Sequence, residues 1–186
     1  MDYKNYTRIN LTIKGGVVFT SLSILLTIFS MIALFSLHIV LWNESTFTIN
    51  HPIVLLVILL VELVLLSIVH EFIHAITYIR LGGFSKNTVK YNFSSLTKFS
   101  VHYKEITSIK IRRWSAIMPT VVLCGLTLLV GLLFNQISQT LICAALFGSG
   151  SSDIYNWFQL RKYSNDCLIE DLEGITGCNV LVPIDK

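Results

Sequence analysis

The chain has 186 residues, 53% of them hydrophobic, and its mean hydropathy of +0.68 excludes an ordinary soluble domain and predicts a membrane protein. Its net charge is only +3. We attribute this small surplus to membrane orientation and contact with anionic headgroups, and we expect no nucleic-acid partner. The four cysteines match no zinc-ribbon or redox spacing, so packing is their predicted role.

Four apolar segments are each long enough to cross a bilayer as a helix. They are Val17–Trp42, Ile53–Ile79, Ile117–Phe134 and Ile137–Phe158. The first segment follows basic residues, as a signal peptide would, but its apolar run of roughly 26 residues is too long for a cleaved signal. We therefore interpret it as a retained anchor. The predicted fold is an all-α membrane protein, a four-transmembrane-helix bundle that forms one membrane-embedded domain over residues 1–186.

The positions of the basic residues predict the topology. All 14 Lys and Arg lie before the first span, between Arg80 and Arg113, or after Phe158. Because cytoplasmic loops carry the excess of Lys and Arg, these three regions are predicted to be cytoplasmic, and both termini with them. We thus expect a multi-pass protein of the plasma membrane, in contact with the lipid bilayer.

The loop 84–113, between the second and third spans, contains two runs with a period of two. Val89–Phe93 and Phe99–Tyr103 alternate apolar with polar residues around Ser94-Ser95-Leu96-Thr97, which predicts a small cytoplasmic β-hairpin. Two interpretations stay open: an exposed strand edge that binds extended substrate, or an amphipathic element on the headgroups. The candidate substrate contacts are Val101, His102, Tyr103 and, in the last span, Asn156.

A proline, a short tail segment and two polar residues of the spans are further features of the sequence. Pro119 is predicted to occupy the opening turn of the third span, where its missing N–H does little harm. The cytoplasmic tail, 164–186, contains Val180-Leu181-Val182 as a predicted short strand. Glu62, in the middle of the second span, is expected to be paired within the bundle or protonated. His38, at the outer end of the first span, is expected to be interfacial.

The sequence His70-Glu71-Phe72-Ile73-His74 lies near the end of the second span. Residues four apart share one helix face, so both imidazoles can bind a single Zn²⁺ ion, while Glu71 lies about 100° around the helix. Polar groups at this depth are costly unless they have a function. The pattern predicts a zinc site in which Glu71 is the general base that takes a proton from water.

A catalytic zinc usually has three protein ligands and one exchangeable water, so a third ligand is needed. The second and fourth spans both begin on the outer side, and His70 and Asp153 each lie about 24–26 Å along them. This agreement in depth predicts Asp153 as the third ligand. Two alternatives stay open: Asp153 as a polar contact that clamps the two spans, and His102 as the third ligand.

These residues carry a resemblance to a known family. The motif His70–His74, the basic hairpin loop, Pro119 and Gly150-Ser151-Ser152-Asp153 resemble the bacterial membrane family described as putative zincin peptidases, which is similar in arrangement to the site-2 proteases. The tail Ile169–Gly177 also resembles the end of that family. Site-2 proteases usually carry Asn-Pro-Asp-Gly around the aspartate, whereas Asp153 here lies between Ser152 and Ile154.

The resemblance implies a zinc-dependent endopeptidase whose carboxylate ligand comes from the last span. Its expected substrate is a peptide or a membrane-tethered protein segment, cleaved near the cytoplasmic leaflet. The alternative function is a non-catalytic zinc-containing membrane protein that serves as an immunity or transporter-accessory factor. Glu71 discriminates between the two, because a structural zinc needs no free carboxylate beside its water.

Overall fold

The computed structural model describes residues 5–12, 16–43, 51–95, 98–172 and 177–184. Within this part of the chain the helices are α1 (Gly16–Trp42), α2 (Pro52–Gly82), α3 (Ile109–Leu133), α4 (Ile137–Ser149) and α5 (Ser151–Leu160). The strands are β1 (Tyr6–Thr12), β2 (Val89–Ser95), β3 (Lys98–Tyr103), β4 (Thr107–Ser108), β5 (Leu168–Asp171) and β6 (Gly177–Pro183). Parts of three predicted regions lie outside the described residues: 44–50 between the first two predicted spans, Leu96 and Thr97 of the predicted turn, and Glu173–Thr176 of the tail.

The chain forms two compact units. The helical unit contains Gly16–His70 and Pro119–Asp153, and the sheet unit contains Met1–Gly15, Glu71–Met118 and Ile154–Lys186.

Three helices of the described residues are long and apolar enough to cross a membrane. They are Thr20–Trp42 within α1, and the whole of α2 and α3. Large apolar side chains along these helices remain exposed, for example Phe29 at 71% and Ile53 at 76%. A dense apolar surface of this kind is compatible with a membrane protein.

The predicted fourth span, Ile137–Phe158, is wrong as a single helix. It is divided at Gly150 into α4, of 13 residues, and α5, of 10. At about 1.5 Å per residue, α4 is about 20 Å long and falls short of a hydrocarbon core of about 30 Å. The small polar residues around the break favour a helix end, because they support a helix poorly. The fold therefore has five helices in its described part, not a simple four-helix bundle.

Close packing of α1 on α4 depends on small residues in the helical unit. A Cβ atom on Gly148 would collide with the side chain of Thr27, and Ser23 Oγ donates to the Gly148 carbonyl at 2.9 Å. Small residues let two backbones approach until side-chain hydroxyls reach the neighbouring carbonyls. The packing thus accounts for the Gly and Ser residues around the end of α4.

Two polar residues of the predicted spans have partners inside the helical unit. His38 is fully buried, with Nδ1 at 3.2 Å from Thr140 Oγ1 and Nε2 at 2.9 Å from Asn135 Oδ1. Its place at the membrane interface stays a prediction. Glu62 accepts a hydrogen bond from Gln139 Nε2 at 2.9 Å, in agreement with its predicted pairing within the bundle. The buried His38 and the half-buried Glu62 thus each have a hydrogen-bond partner, as polar groups away from water require.

The sheet unit contains a four-stranded antiparallel sheet in the order β1-β6-β5-β4. Strand β6 includes the predicted segment Val180–Val182, whereas β1, which pairs with β6 along seven residues, was not predicted. Its core combines apolar residues from the strands and helices, including Ile109, Cys167 and Cys178. The packing role predicted for these two cysteines is confirmed, and burial raises the pKa of the Cys178 thiol.

The predicted hairpin is confirmed by the pairing of β2 with β3, in which Val89 faces Tyr103 and Tyr91 faces Val101. Its inner residues pack on the last turns of α2, where Ala75 and Tyr78 are fully buried. Helix α3 begins directly after the short strand β4, at Ile109 rather than at Ile117. Pro119 therefore lies inside α3, which corrects its predicted place in the opening turn.

Candidate metal centre

The residues His70, Glu71 and His74 share one stretch of α2, because the apolar run that builds this helix continues through the motif. One potential ligand atom from each lies within 4.8 Å of those of the other two. His74 is 8% exposed, the His70 side chain is 13% exposed and Glu71 is half-buried, whereas Phe72 points outward with 41% exposure. Residues four apart project from the same helix face, so the spacing alone brings the two imidazoles together.

A backbone carbonyl orients His74. Its Nδ1 donates to the Ser115 carbonyl oxygen at 2.6 Å, and both residues are buried in the sheet unit. A carbonyl only accepts, so the proton of a neutral imidazole must lie on Nδ1, which leaves Nε2 with the lone pair that a metal needs. Metal-binding histidines commonly have their second nitrogen fixed in this way.

The other histidine contacts the predicted carboxylate. His70 Nε2 lies 2.9 Å from Asp153 Oδ2, and the two side chains are 13% and 20% exposed. Asp153 lies in the first turn of α5, since the break at Gly150 starts a new helix just before it. The first turn of a helix is a favourable place for an acidic side chain, because the positive end of the helix dipole lies there. The structure therefore brings together the pair whose agreement in depth was predicted, while the role of Asp153 as a ligand stays a prediction.

His102, the rival third ligand, lies beside another carboxylate. Its Nδ1 is 3.7 Å from Asp171 Oδ2, and the same carboxylate accepts from Arg112 at 3.1 Å and from the Tyr103 backbone N–H at 3.2 Å. The Asp171 side chain is only 8% exposed. Within the described residues, the cluster of potential metal ligands consists of His70, Glu71 and His74, and it includes neither His102 nor Asp153. The two rivals differ in their contacts, because Asp153 lies 2.9 Å from His70 whereas His102 lies beside Asp171. This arrangement favours a structural role for His102.

The candidate substrate contacts differ in accessibility. Tyr103 is 5% exposed, and its ring stacks on Tyr78 with the centroids 3.9 Å apart. Burial raises its pKa to about 12, and its backbone N–H is bound to Asp171, so neither its ring nor its amide is open to substrate. Val101, His102 and Asn156 are half-buried, and their contact with substrate stays a prediction.

Ser115 is the functional candidate that the sequence interpretation missed. It is fully buried, its carbonyl accepts from His74, and its Oγ donates back to the His74 carbonyl at 3.2 Å. A serine inside an apolar helix does not by itself indicate a functional residue. The available signal was Pro119, four residues later, because a proline inside a helix leaves the carbonyl of the fourth preceding residue without its usual donor.

Comparison with known families identifies the family to which the chain belongs. The sequence model of a family described as "Putative zincin peptidase" matches residues 63–168, more than half of the chain. The chain belongs to the putative zincin peptidase family. No significant match was found among curated proteins or among solved structures. The matched region contains the His70–His74 motif and Asp153, and membership implies zinc binding.

The residues present fit the zinc of a zincin. Two imidazoles and one carboxylate form a common donor set of catalytic zinc sites, which keep the fourth position for water. Two ligand atoms, each about 2.0–2.1 Å from a tetrahedral zinc, lie about 3.3 Å apart. The 2.9 Å separation of His70 Nε2 and Asp153 Oδ2 is close to that spacing. The His-Glu-His group on α2 could therefore hold a metal ion.

Proposed function

We propose that the protein is a zinc-dependent endopeptidase in which His70, His74 and Asp153 hold the metal and Glu71 is the general base. The observation that carries this proposal is the contact of 2.9 Å between His70 and Asp153, next to the His-Glu-His group, in a member of a zincin family. The hydrogen bond from His74 Nδ1 to the Ser115 carbonyl supports the same assignment, because it leaves the Nε2 lone pair of His74 for the metal. Two imidazoles and one carboxylate are a donor set found in catalytic zinc sites.

The proposed mechanism assigns one task to each side chain. Zinc, when bound, lowers the pKa of a water ligand and polarises the carbonyl of the peptide. Glu71 accepts the proton of the attacking water and then delivers it to the amine of the leaving fragment, so the peptide bond breaks with no net proton change. Its potential ligand oxygen lies within 4.8 Å of those of the two histidines, close enough for one water to connect them. Asp153 also supplies negative charge beside His70.

We further propose that cleavage occurs within or just under a membrane, near its cytoplasmic face. Three helices have the length and composition of membrane spans, and the motif lies towards the end of α2 that leads into the basic loop. Lys and Arg flank cytoplasmic span ends, so this end is assigned to the cytoplasm of a plasma-membrane protein, together with both termini. The substrate is then a peptide or a membrane-tethered protein segment, in the manner of site-2 proteases.

The test is Glu71→Gln in the purified full chain, reconstituted in lipid vesicles and offered a synthetic peptide library. We expect the zinc content to be unchanged and cleavage, read by mass spectrometry of the products, to fall by at least about a hundredfold. Glu62→Gln is the matched control, because it makes the same change on the same helix at a residue paired with Gln139. It should keep full activity.

Two outcomes would contradict the proposal. Cleavage by Glu71→Gln at the wild-type rate would exclude Glu71 as the base. Zinc bound by the wild-type protein without cleavage of any library member would exclude the peptidase and favour the non-catalytic immunity or transporter-accessory role.

A further inference from the structure

Pro119 changes the hydrogen bonding of α3 at one buried place. The residue is buried and lies well inside the helix, which begins at Ile109. Proline has no backbone N–H, so the carbonyl of Ser115, one turn earlier, has no donor from that position. In helices generally, the pyrrolidine ring also crowds the carbonyl four residues earlier, which disfavours the usual helical geometry there.

The carbonyl that Pro119 leaves available is the one that binds His74. It accepts from Nδ1 at 2.6 Å, in surroundings where Ser115 is fully buried. A buried carbonyl without a partner would be destabilising, so the imidazole replaces the helical donor that is missing. The exchange is reciprocal, because Ser115 Oγ donates to the His74 carbonyl at 3.2 Å and can accept from the Tyr103 hydroxyl at 2.9 Å.

We propose that Pro119 is a positioning residue for the metal centre: it keeps the Ser115 carbonyl available, and this carbonyl holds His74 in the Nδ1–H tautomer with Nε2 directed to zinc. The inference rests on the proposed function for its last step only. Partners that fix the second nitrogen of a histidine ligand typically contribute tenfold to a hundredfold in metal affinity.

The test is Pro119→Ala in the full chain, which restores an N–H that competes for the Ser115 carbonyl. The first measurement is the histidine tautomer in chelator-treated protein at about pH 8, where an ordinary imidazole is neutral. Long-range ¹H–¹⁵N spectra of ring-labelled histidine distinguish Nδ1–H from Nε2–H, and His74→Gln assigns the signal. We expect Nδ1–H in the wild type and a shift towards Nε2–H in Pro119→Ala.

The second measurement is zinc affinity by competition with a chromophoric chelator, together with thermal unfolding. Zinc affinity should fall about tenfold to a hundredfold in Pro119→Ala. The unfolding midpoint of the metal-free protein should not fall, because alanine is the better residue inside a helix. Gly125→Ala is the matched control on α3, since a Cβ there meets nothing within 4 Å. Ser115→Ala, which keeps the carbonyl, should keep the Nδ1–H tautomer.

Each outcome decides the matter. An unchanged His74 tautomer in Pro119→Ala would overturn the proposal, even if zinc affinity fell, because Pro119 would then act through packing alone. A changed tautomer with unchanged zinc affinity would also overturn it, since the orientation of His74 would not matter to the metal. Absence of zinc binding by the wild type would instead reject the proposed function, while the tautomer comparison would still test the link between Pro119 and His74.

Discussion

Nε2 of His70 lies 2.9 Å from the carboxylate of Asp153, although 83 positions of sequence separate the two residues. One belongs to a helix of spanning length, and the other to the first turn of the short helix that follows the break at Gly150. Two side chains of high desolvation cost thus satisfy each other. In the proposed zinc site, this nitrogen and this oxygen are two of the ligand atoms.

Asp153 lies in the first turn of α5, directly after the helix break at Gly150. A substitution at Gly150 therefore tests whether the break positions Asp153. A Cβ atom at residue 150 would lie 2.5 Å from Thr120 Oγ1, a buried hydroxyl without a hydrogen-bond partner within the structure described. Gly150→Ala should therefore destabilise the protein by about 1–3 kcal/mol through overpacking, and it should weaken zinc binding by displacing Asp153. Thermal unfolding and zinc titration measure the two effects.

The matched variants for this prediction separate crowding from helix propensity. Gly125→Ala, in open space, should be neutral or stabilising. The double variant Gly150→Ala/Thr120→Ala should recover stability, because the colliding hydroxyl is gone. A double variant as unstable as the sum of the two single variants would show that Thr120 does not enforce the break.

Much of the site follows from local sequence. The His70–His74 spacing and the alternation of the hairpin could both be interpreted correctly, because each depends on helix or strand geometry within a short segment. The contact of 2.9 Å between His70 and Asp153 agrees with the expected pair, but the depth argument behind it assumed one continuous helix from Ile137, which is divided at Gly150. The break in the fourth predicted span could not be interpreted in this way, because the space available at residue 150 depends on another helix, where Thr120 Oγ1 would lie 2.5 Å from an added Cβ atom. Tertiary contacts of this kind override local propensity.

Long-range pairing explains the other differences. Strand β1 becomes recognisable only through its pairing with β6, where Tyr6 faces Pro183 at the opposite end of the chain. Helix α3 begins at Ile109, eight residues before the apolar run that starts at Ile117. Its first turns contain the basic residues Lys110, Arg112 and Arg113, which are helical but not apolar. Hydropathy thus identifies apolar segments but does not define where the helices end.

A further prediction concerns the pH dependence of stability. Burial raises the pKa of Tyr103 from 10.0 to about 12. The resulting contribution to the free energy of unfolding is complete below pH 10, and it is lost as the pH rises to about 12, because the unfolded tyrosine ionises first. Denaturant unfolding of Tyr103→Phe should show a smaller decline across this range than the wild type. Equal declines would mean that Tyr103 is not protected from ionisation.

The proposed topology, with both termini and the loop 84–113 in the cytoplasm, rests on the distribution of basic residues and can be tested by labelling. A cysteine introduced at Ser45 should react with a membrane-impermeant maleimide added outside intact cells, while one at Glu105 should react only after permeabilisation. Glu105 is exposed, so a failure to react from outside would not result from burial. Labelling of Glu105→Cys in intact cells would show that the proposed orientation is wrong, and the proposed cleavage site would then lie near the outer face.

The central claim is that His70, His74 and Asp153 together hold one zinc ion. It is tested most directly by measuring the zinc content of purified wild-type protein and of four single alanine variants, at these three residues and at His102. We expect about one zinc ion per chain in the wild type and in His102→Ala, and strong loss in the other three, since a catalytic zinc needs three protein ligands. Full zinc in Asp153→Ala, with loss in His102→Ala, would contradict the account and assign the third ligand to the hairpin.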